Sequence, residues 1–166
     1  VRIAQEVLDI YAPLAYRLGV DKIKGELEDL AFKTLNSRKY EEISKYLQES
    51  QERSEKDVEE AINLIEGVVG DKVKIEGIFG RNKHAYSIYR KIQNKGLRLN
   101  QLFDLLGMRI IVPKEKDCYT LLGLLHEKFE PIEGRLKDYI ANPKPNLYRS
   151  IHTGIKLPNG KTVEVQ

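Results

Sequence analysis

The sequence has only one cysteine, Cys118, among its 166 residues. A single cysteine cannot form an intrachain disulfide or a cysteine-rich metal site, which excludes the small disulfide-stabilised proteins. No uncharged apolar run approaches the roughly 20 residues needed to cross a bilayer. The N-terminus also lacks the charged, apolar and small-residue order of a signal peptide. We therefore expect no membrane partner and a reducing, cytoplasmic setting.

Acidic residues are absent between Glu76 and Asp104, where six residues are basic: Arg81, Lys83, Arg90, Lys91, Lys95 and Arg98. Residues 1 to 76 hold 12 basic and 17 acidic residues, whereas residues 77 to 166 hold 16 and 8. The net charge of +3 conceals this division. The asymmetry predicts that an anionic partner binds the second half of the chain.

The chain is 41% hydrophobic and 32% charged, which excludes a wholly disordered protein and allows a buried core. The first 70 residues have helical periodicity. They predict a first helix kinked at Pro13 and ended by Gly19, a second capped by Asp21, a third capped by Ser37, and a fourth closed by Gly70.

After residue 70 the hydrophobic period changes. It predicts a strand ending at Gly80, a helix over 84–94, a buried strand over 105–112, a helix over 115–129, a loop over 131–149 with one short helix, and strands over 150–157 and 161–166. Strands separated by helices, after a helical opening, indicate an α+β fold with a mixed sheet. We assign residues 1–70 to a helical segment and 71–166 to the sheet core, truncated at its C-terminus because the last residue falls inside a predicted strand.

A glycine and several basic residues lie between the end of the first predicted strand and the start of the next helix. The run is Gly80-Arg81-Asn82-Lys83-His84, and helical spacing allows Lys91 to lie beside Arg81 and Lys83. Glycine permits a sharp turn, and the N–H groups of a helix start attract phosphate. The spacing is not that of a Walker A loop. Both a phosphate-binding loop and a solvated basic helix fit these residues.

Two acids lie at strand positions far apart in the sequence. Alternation puts Asp104 on one face with Leu106, Met108 and Ile110, while Glu164 sits between two valines. If these strands are neighbours, the carboxylates can share a Mg²⁺ ion, which prefers oxygen ligands. Ordinary strand-end charges fit the same pattern.

A third cluster lies in the loop before the last two strands. Lys137 and Lys144 supply positive charge, Asn146 an amide, Tyr148 a stacking face and His152 a ring nitrogen. Cations for phosphate and an aromatic plane for a base are what nucleotide binding needs. An ordinary surface loop with a buried tyrosine and histidine is the alternative.

Together these segments resemble the synthetase domain of the RelA/SpoT homologue family, over nearly the whole chain. The resemblance rests on Ile10-Tyr11-Ala12-Pro13-Leu14-Ala15, Glu26-Leu27-Glu28-Asp29-Leu30-Ala31-Phe32, Gly80-Arg81-Asn82-Lys83-His84-Ala85-Tyr86-Ser87-Ile88, Asp117-Cys118-Tyr119 and Tyr148-Arg149-Ser150-Ile151-His152-Thr153. It implies a nucleotidyltransferase-like mixed sheet flanked by helices. It also implies a pyrophosphokinase that uses ATP and GDP or GTP to make (p)ppGpp and AMP in the bacterial stringent response.

The resemblance also implies a role for each candidate residue. Arg81, Lys83 and Lys91 would bind ATP phosphates. Asp104 and Glu164 would be the catalytic, Mg²⁺-binding acids. The acceptor GDP or GTP would be bound by Lys137, Lys144, Asn146, Tyr148 and His152. Such a reaction depends on positioning and charge neutralisation and needs no covalent nucleophile.

The motif Arg135-x-Lys137-Asp138 is similar to the basic form found in bifunctional synthetase/hydrolase members. It therefore implies a parent protein with a hydrolase domain, regulatory domains and, through these absent domains, the ribosome as partners. Two other functions remain open: a catalytically silent domain that binds guanine nucleotide, and an RNA-binding module. The resemblance implies no direct nucleic-acid contact by this domain.

Overall fold

A computed structural model describes residues 1–81, 83–96, 99 and 106–166. Its helices are α1 (Arg2–Glu6), α2 (Ala12–Arg17), α3 (Asp21–Leu35), α4 (Ser37–Val69), α5 (Ala85–Lys95) and α6 (Glu115–Lys128). Its strands are β1 (Gly77–Gly80), β2 (Leu106–Ile111), β3 (Glu130–Pro131), β4 (Lys137–Asp138), β5 (Ile151–Lys156) and β6 (Thr162–Val165). Within these described ranges, none of the helices combines the length and apolarity of a membrane span.

The first helix is interrupted as the sequence predicts. A π-helical turn, Val7–Tyr11, separates α1 from α2, and Pro13 lies at the start of α2. Proline lacks the N–H that would continue the α-helical hydrogen bonding, so the wider turn precedes it. The chain then leaves the helix at Gly19, where the backbone φ is +75°.

The predicted third and fourth helices are one helix, so that prediction was wrong. α4 runs for 33 residues without a break, because nothing between residues 47 and 58 is a glycine or proline. Its cap is Asn36 and not Ser37: the Asn36 side-chain oxygen accepts a hydrogen bond from the backbone N–H of Lys39 at 3.2 Å.

The chain forms two compact units, each assembled from separate stretches. The helical unit comprises Val1–Glu52, Lys83–Asp104 and Pro145–Leu147, and the sheet unit comprises Arg53–Asn82, Leu105–Lys144 and Tyr148–Gln166. The helix α4 contributes its first part to one unit and the rest to the other. The division at residue 70 stays a prediction.

An aromatic cluster forms the core of the helical unit. Phe32 of α3 is buried and stacks on Tyr89 of α5 with ring centroids 4.5 Å apart. Ile43 of α4 and Ala85 and Ile88 of α5 complete the buried cluster. One face of α5 therefore packs inside this unit.

The sheet unit has the strand order β1-β2-β6-β5-β3, with β4 paired to β5. β2 and β6 are parallel and the other pairs are antiparallel, which confirms the mixed α+β prediction. One sheet face packs against the buried core of this unit. The core includes Met108, Ile155 and Val163 from the strands and Leu125 from α6. The loop predicted over 131–149 contains short strands, including β4, and no helix.

Candidate active site

Glu164 lies on the sheet face opposite the core. Its neighbours in β6, Val163 and Val165, are buried, whereas Glu164 is partly exposed. Across the ladders it pairs with Gly107 of β2 and Gly154 of β5. The carboxylate therefore stands between two strand positions that have no side chain.

The two glycines allow two arginine side chains to approach the sheet. A Cβ atom on Gly107 would lie 3.2 Å from Cβ of Arg81, and one on Gly154 would lie 3.1 Å from Cβ of Arg135. Such contacts are tighter than ordinary van der Waals packing, so larger residues would displace the arginines. Glycines inside predicted strands are the sequence signal that points to this close approach.

Arg81 is held directly beside Glu164. It follows the last residue of β1, and its backbone N–H donates to the carbonyl oxygen of Gly107 at 2.7 Å. Its guanidinium Nη1 lies 3.9 Å from Oε1 of Glu164. The same oxygen accepts a hydrogen bond from the side-chain amide of Gln166 at 3.1 Å. The carboxylate thus has polar neighbours on the exposed sheet face.

An aromatic cluster lies at the β4–β5 pair. Lys137 is opposite His152 in the ladder, and the Tyr148 hydroxyl lies 2.9 Å from Nε2 of His152. The Lys144 ammonium lies 4.5 Å from the ring centroid of Tyr139 and 4.9 Å from that of Tyr148. These distances are those of cation–π contacts. A cation and aromatic faces therefore meet in one place.

His152 is neutral at physiological pH. Burial lowers its pKa to about 4. Glu164 acts in the opposite direction, while Lys144, Arg81 and Lys137 lower the pKa further. Arg81, Glu164, Lys137 and Lys144 all belong to the sheet unit, and each of them affects the pKa of this one imidazole.

The helical unit contains the start of α5. His84 Nδ1 lies 2.8 Å from one oxygen of Asp29, and the backbone N–H of Tyr86 donates to the other at 2.9 Å. Asp29 of α3 thereby caps α5 from another helix, which sequence spacing alone did not indicate. Gly25, one turn earlier, leaves room for the His84 ring.

Three predicted residues belong to the helical unit. Lys83 and Lys91 are exposed and Asn146 is buried, and their role in nucleotide binding stays a prediction. Asp104 lies outside the described residues. Among the described residues there is no group of three or more His, Cys, Asp or Glu that could hold a metal ion.

Fold and site together define a class: a mixed α+β domain with a cationic, aromatic-lined face suited to a phosphorylated, aromatic ligand. The family model for the region found in RelA/SpoT proteins matches residues 80–166. Since this match covers more than half of the chain, the chain belongs to the RelA/SpoT family.

Two curated relatives cover almost the whole chain. A GTP pyrophosphokinase from Myxococcus xanthus is 46% identical over 165 residues, which are 99% of this chain and 22% of that protein. A guanosine-3′,5′-bis(diphosphate) 3′-pyrophosphohydrolase from Aquifex aeolicus is 46% identical over 166 residues, 99% of this chain and 24% of that protein. The chain thus spans about a quarter or less of these relatives' length.

A solved structure is also similar. The small alarmone synthetase 2 from Bacillus subtilis is 28% identical, with a TM-score of 0.53. The match covers 76% of this chain and 69% of that chain.

Proposed function

We propose that this chain is a GTP pyrophosphokinase domain, which transfers the β,γ-pyrophosphate of ATP to the 3′-hydroxyl of GDP or GTP. The products would be (p)ppGpp and AMP. The two curated relatives are named for opposite reactions but match equally well, so their names do not separate synthesis from hydrolysis. The Bacillus subtilis protein favours synthesis, because it is named a synthetase and the match covers most of its chain. This coverage is the observation on which the proposal rests.

The acceptor nucleotide would bind at the β4–β5 pair. Tyr148 would stack on guanine, while Lys137 and Lys144 would bind the phosphates. Asn146 would contact the same nucleotide. His152 supports this arrangement through its 2.9 Å contact with the Tyr148 hydroxyl, and as a neutral ring it adds no further charge to a cationic pocket.

The ATP phosphates would bind Arg81, with Lys83 and Lys91. Arg81 is supported by its backbone bond to Gly107 and by its position beside Glu164. In the reaction the 3′-oxygen bonds to the β-phosphorus, and the bond between that phosphorus and the α–β bridging oxygen breaks. AMP leaves with the bridging oxygen, and Glu164 would receive the hydroxyl proton.

Mg²⁺ fits the residues of this face. Glu164 is a hard oxygen donor, and Mg²⁺ in nucleotide sites usually takes one or two carboxylates together with substrate phosphates and water. Asp104 and Glu164 would hold the ion, which neutralises phosphate charge when bound. Glu164 lies on the face opposite Leu106, so sharing the ion requires that the Asp104 side chain does not continue the buried row of Leu106 and Met108.

The test is to incubate the chain with Mg²⁺, ATP and GDP or GTP and to separate the nucleotides by anion exchange. AMP and a more highly charged guanine nucleotide should appear in equal amounts. Glu164→Gln and Asp104→Asn should each lower the rate by about 100-fold or more, as expected for lost transition-state stabilisation.

Two results would contradict the proposal. Guanine-nucleotide binding without AMP would identify a silent regulatory domain. Tight oligonucleotide binding that weakens steeply with salt, also without AMP, would identify an RNA-binding module. Asp9→Ala, in an exposed pair with Gln5, is a control that should keep the wild-type rate.

For the parent protein we propose a bifunctional synthetase/hydrolase, on the basis of Arg135-x-Lys137-Asp138 and the hydrolase-named relative. Its hydrolase and regulatory domains, and the ribosome through them, would be partners of this domain. The measurement is hydrolysis of ppGpp by the intact parent protein in the presence of a divalent metal ion. Absence of that hydrolysis would restrict the parent to synthesis.

A further inference from the structure

Helix α6 contacts β4, β5 and the segment just before β5 through three side chains on one face. Glu115, Tyr119 and His126 are spaced i, i+4 and i+11, which puts them along one line of the helix. Glu115 Oε2 lies 2.7 Å from Nη2 of Arg149, which precedes β5. His126 Nε2 lies 2.8 Å from the Thr153 hydroxyl in β5. Tyr119 lies between these two residues on the helix and contacts Asp138.

The Tyr119 hydroxyl donates to Oδ2 of Asp138 at 3.0 Å. The other oxygen of Asp138 accepts the backbone N–H groups of Ile140 at 2.9 Å and Ala141 at 2.8 Å. The Ala141 amide, together with the Tyr119 hydroxyl, holds the pKa of Asp138 below its usual value. Both carboxylate oxygens are therefore engaged within the protein, and Asp138 fixes the turn that follows β4.

This turn sets the position of Lys137, which is in the proposed acceptor site, and of Tyr139, which belongs to the aromatic cluster. Lys137 precedes Asp138 in β4, and successive strand residues point to opposite faces; Lys137 is paired with His152. Tyr139 follows Asp138, donates its backbone N–H to the Ser150 carbonyl at 2.9 Å, and has its ring 5.0 Å from that of His152. A shift of Asp138 would move both neighbours.

We propose that Tyr119 is a positioning residue for the acceptor nucleotide, acting through Asp138 to hold Lys137 and Tyr139 in place. The inference rests on the proposed function, because it assigns the β4–β5 pair to GDP or GTP. Tyr119 lies on α6, outside the predicted ligand set, and its contact with Asp138 joins residues 19 positions apart in the sequence.

The test compares Tyr119→Phe with wild type in steady-state kinetics and in GDP titration calorimetry without ATP. Because the loss of this exposed hydrogen bond displaces Lys137 and Tyr139, the KM and Kd for GDP should rise about 3- to 10-fold. The KM for ATP and the kcat should change by less than about twofold, because the hydrogen bonds that hold this turn do not involve Arg81. Tyr11→Phe removes the hydroxyl of a similarly exposed tyrosine (Tyr11 is 49% exposed and Tyr119 42%) and is the matched control.

A double-mutant cycle separates positioning from general loosening of α6. If Tyr119 acts through Asp138, Tyr119→Phe should have no further effect in an Asp138→Ala background. Additive effects, equal rises in KM for ATP and GDP, or an unchanged GDP affinity would each overturn the inference. GDP binding without AMP formation would overturn only the proposed function, and a wild-type chain that binds no GDP would overturn both.

Discussion

The hydroxyl of Tyr148 lies 2.9 Å from Nε2 of His152, with the two rings 83° apart. This edge contact anchors the phenol by its oxygen. A ring anchored in this way has a defined orientation before any ligand arrives, which lowers the entropic cost of stacking. The pair therefore explains how a loop residue can present an aromatic plane reproducibly.

Replacement of Tyr148 tests the stacking role. Tyr148→Ala removes a plane worth about 1 to 3 kcal/mol per stacked base, so the Kd for GDP should rise about 5- to 150-fold. Tyr148→Phe keeps the plane and loses the hydroxyl that contacts His152, so a smaller rise of about fivefold is expected. Calorimetric titration with GDP and with a non-hydrolysable ATP analogue measures both ligands. Equal losses for the two nucleotides would refute the stacking role.

The low pKa of His152 predicts a pH dependence of stability. The folded-state pKa is about 4, below the ordinary 6.5, so the unfolded chain binds more protons between these values. The contribution of His152 to the free energy of unfolding is fully present above about pH 6.5 and is lost as the pH is lowered toward 4. The loss is about 1 to 2 kcal/mol, because a half-buried ring keeps part of its hydration.

Urea unfolding at pH 7.5, 6 and 4.5 measures this dependence. In His152→Gln this pH-dependent contribution should disappear. The difference in free energy of unfolding between wild type and variant should therefore shrink as the pH falls. A difference that stays constant with pH would show that His152 does not titrate in this window.

Gly107→Ala tests the approach of Arg81 to the sheet. The new Cβ would lie 3.2 Å from Cβ of Arg81 and should push the arginine away from Glu164. Because charge-assisted contacts contribute about 1.5 to 3 kcal/mol, kcat/KM for ATP should fall at least about tenfold. Gly123→Ala in α6, where a Cβ meets nothing within 4 Å, is the control and should keep wild-type kinetics. Similar kinetics for both variants would contradict the role of Gly107.

Asp29→Ala tests the cap that α3 provides to α5. The change leaves the Tyr86 N–H and His84 without their carboxylate acceptor, which should lower the free energy of unfolding by about 1 to 2 kcal/mol. Chemical denaturation followed by circular dichroism measures the loss. Asp9→Ala, which removes an exposed contact with Gln5, should change stability by less than about 0.5 kcal/mol. Equal stability of the two variants would show that the cap contributes nothing.

Periodicity predicted element types well, because each element buries one face. The helix over 84–94 and the strand over 105–112 correspond closely to α5 and β2. Prediction failed for α4, where a polar middle section suggested two helices. It also failed for β4, since two residues are too few for a period to be visible.

The residues proposed for the site come from the sequence, whereas the contacts that support them come from the structure. The sequence indicated charged and aromatic side chains near turns and strand ends, namely Arg81, Glu164, Tyr148 and His152. The supporting roles of Asp29 and Tyr119 were not predicted, although both lie in segments that carry the resemblance, because a capping carboxylate or a helical tyrosine has no local signature of its own.

The amino-acid sequence alone determined which segments are helix or strand and where positive charge accumulates, because these features depend on residues only a few positions apart. Only the tertiary structure decided that β2 and β6 run parallel as neighbours, that Glu164 lies between Gly107 and Gly154, and that α6 fastens the β4–β5 pair. Such pairings join residues tens of positions apart, and their free energy comes from burial and hydrogen bonds that exist only once the sheet has formed.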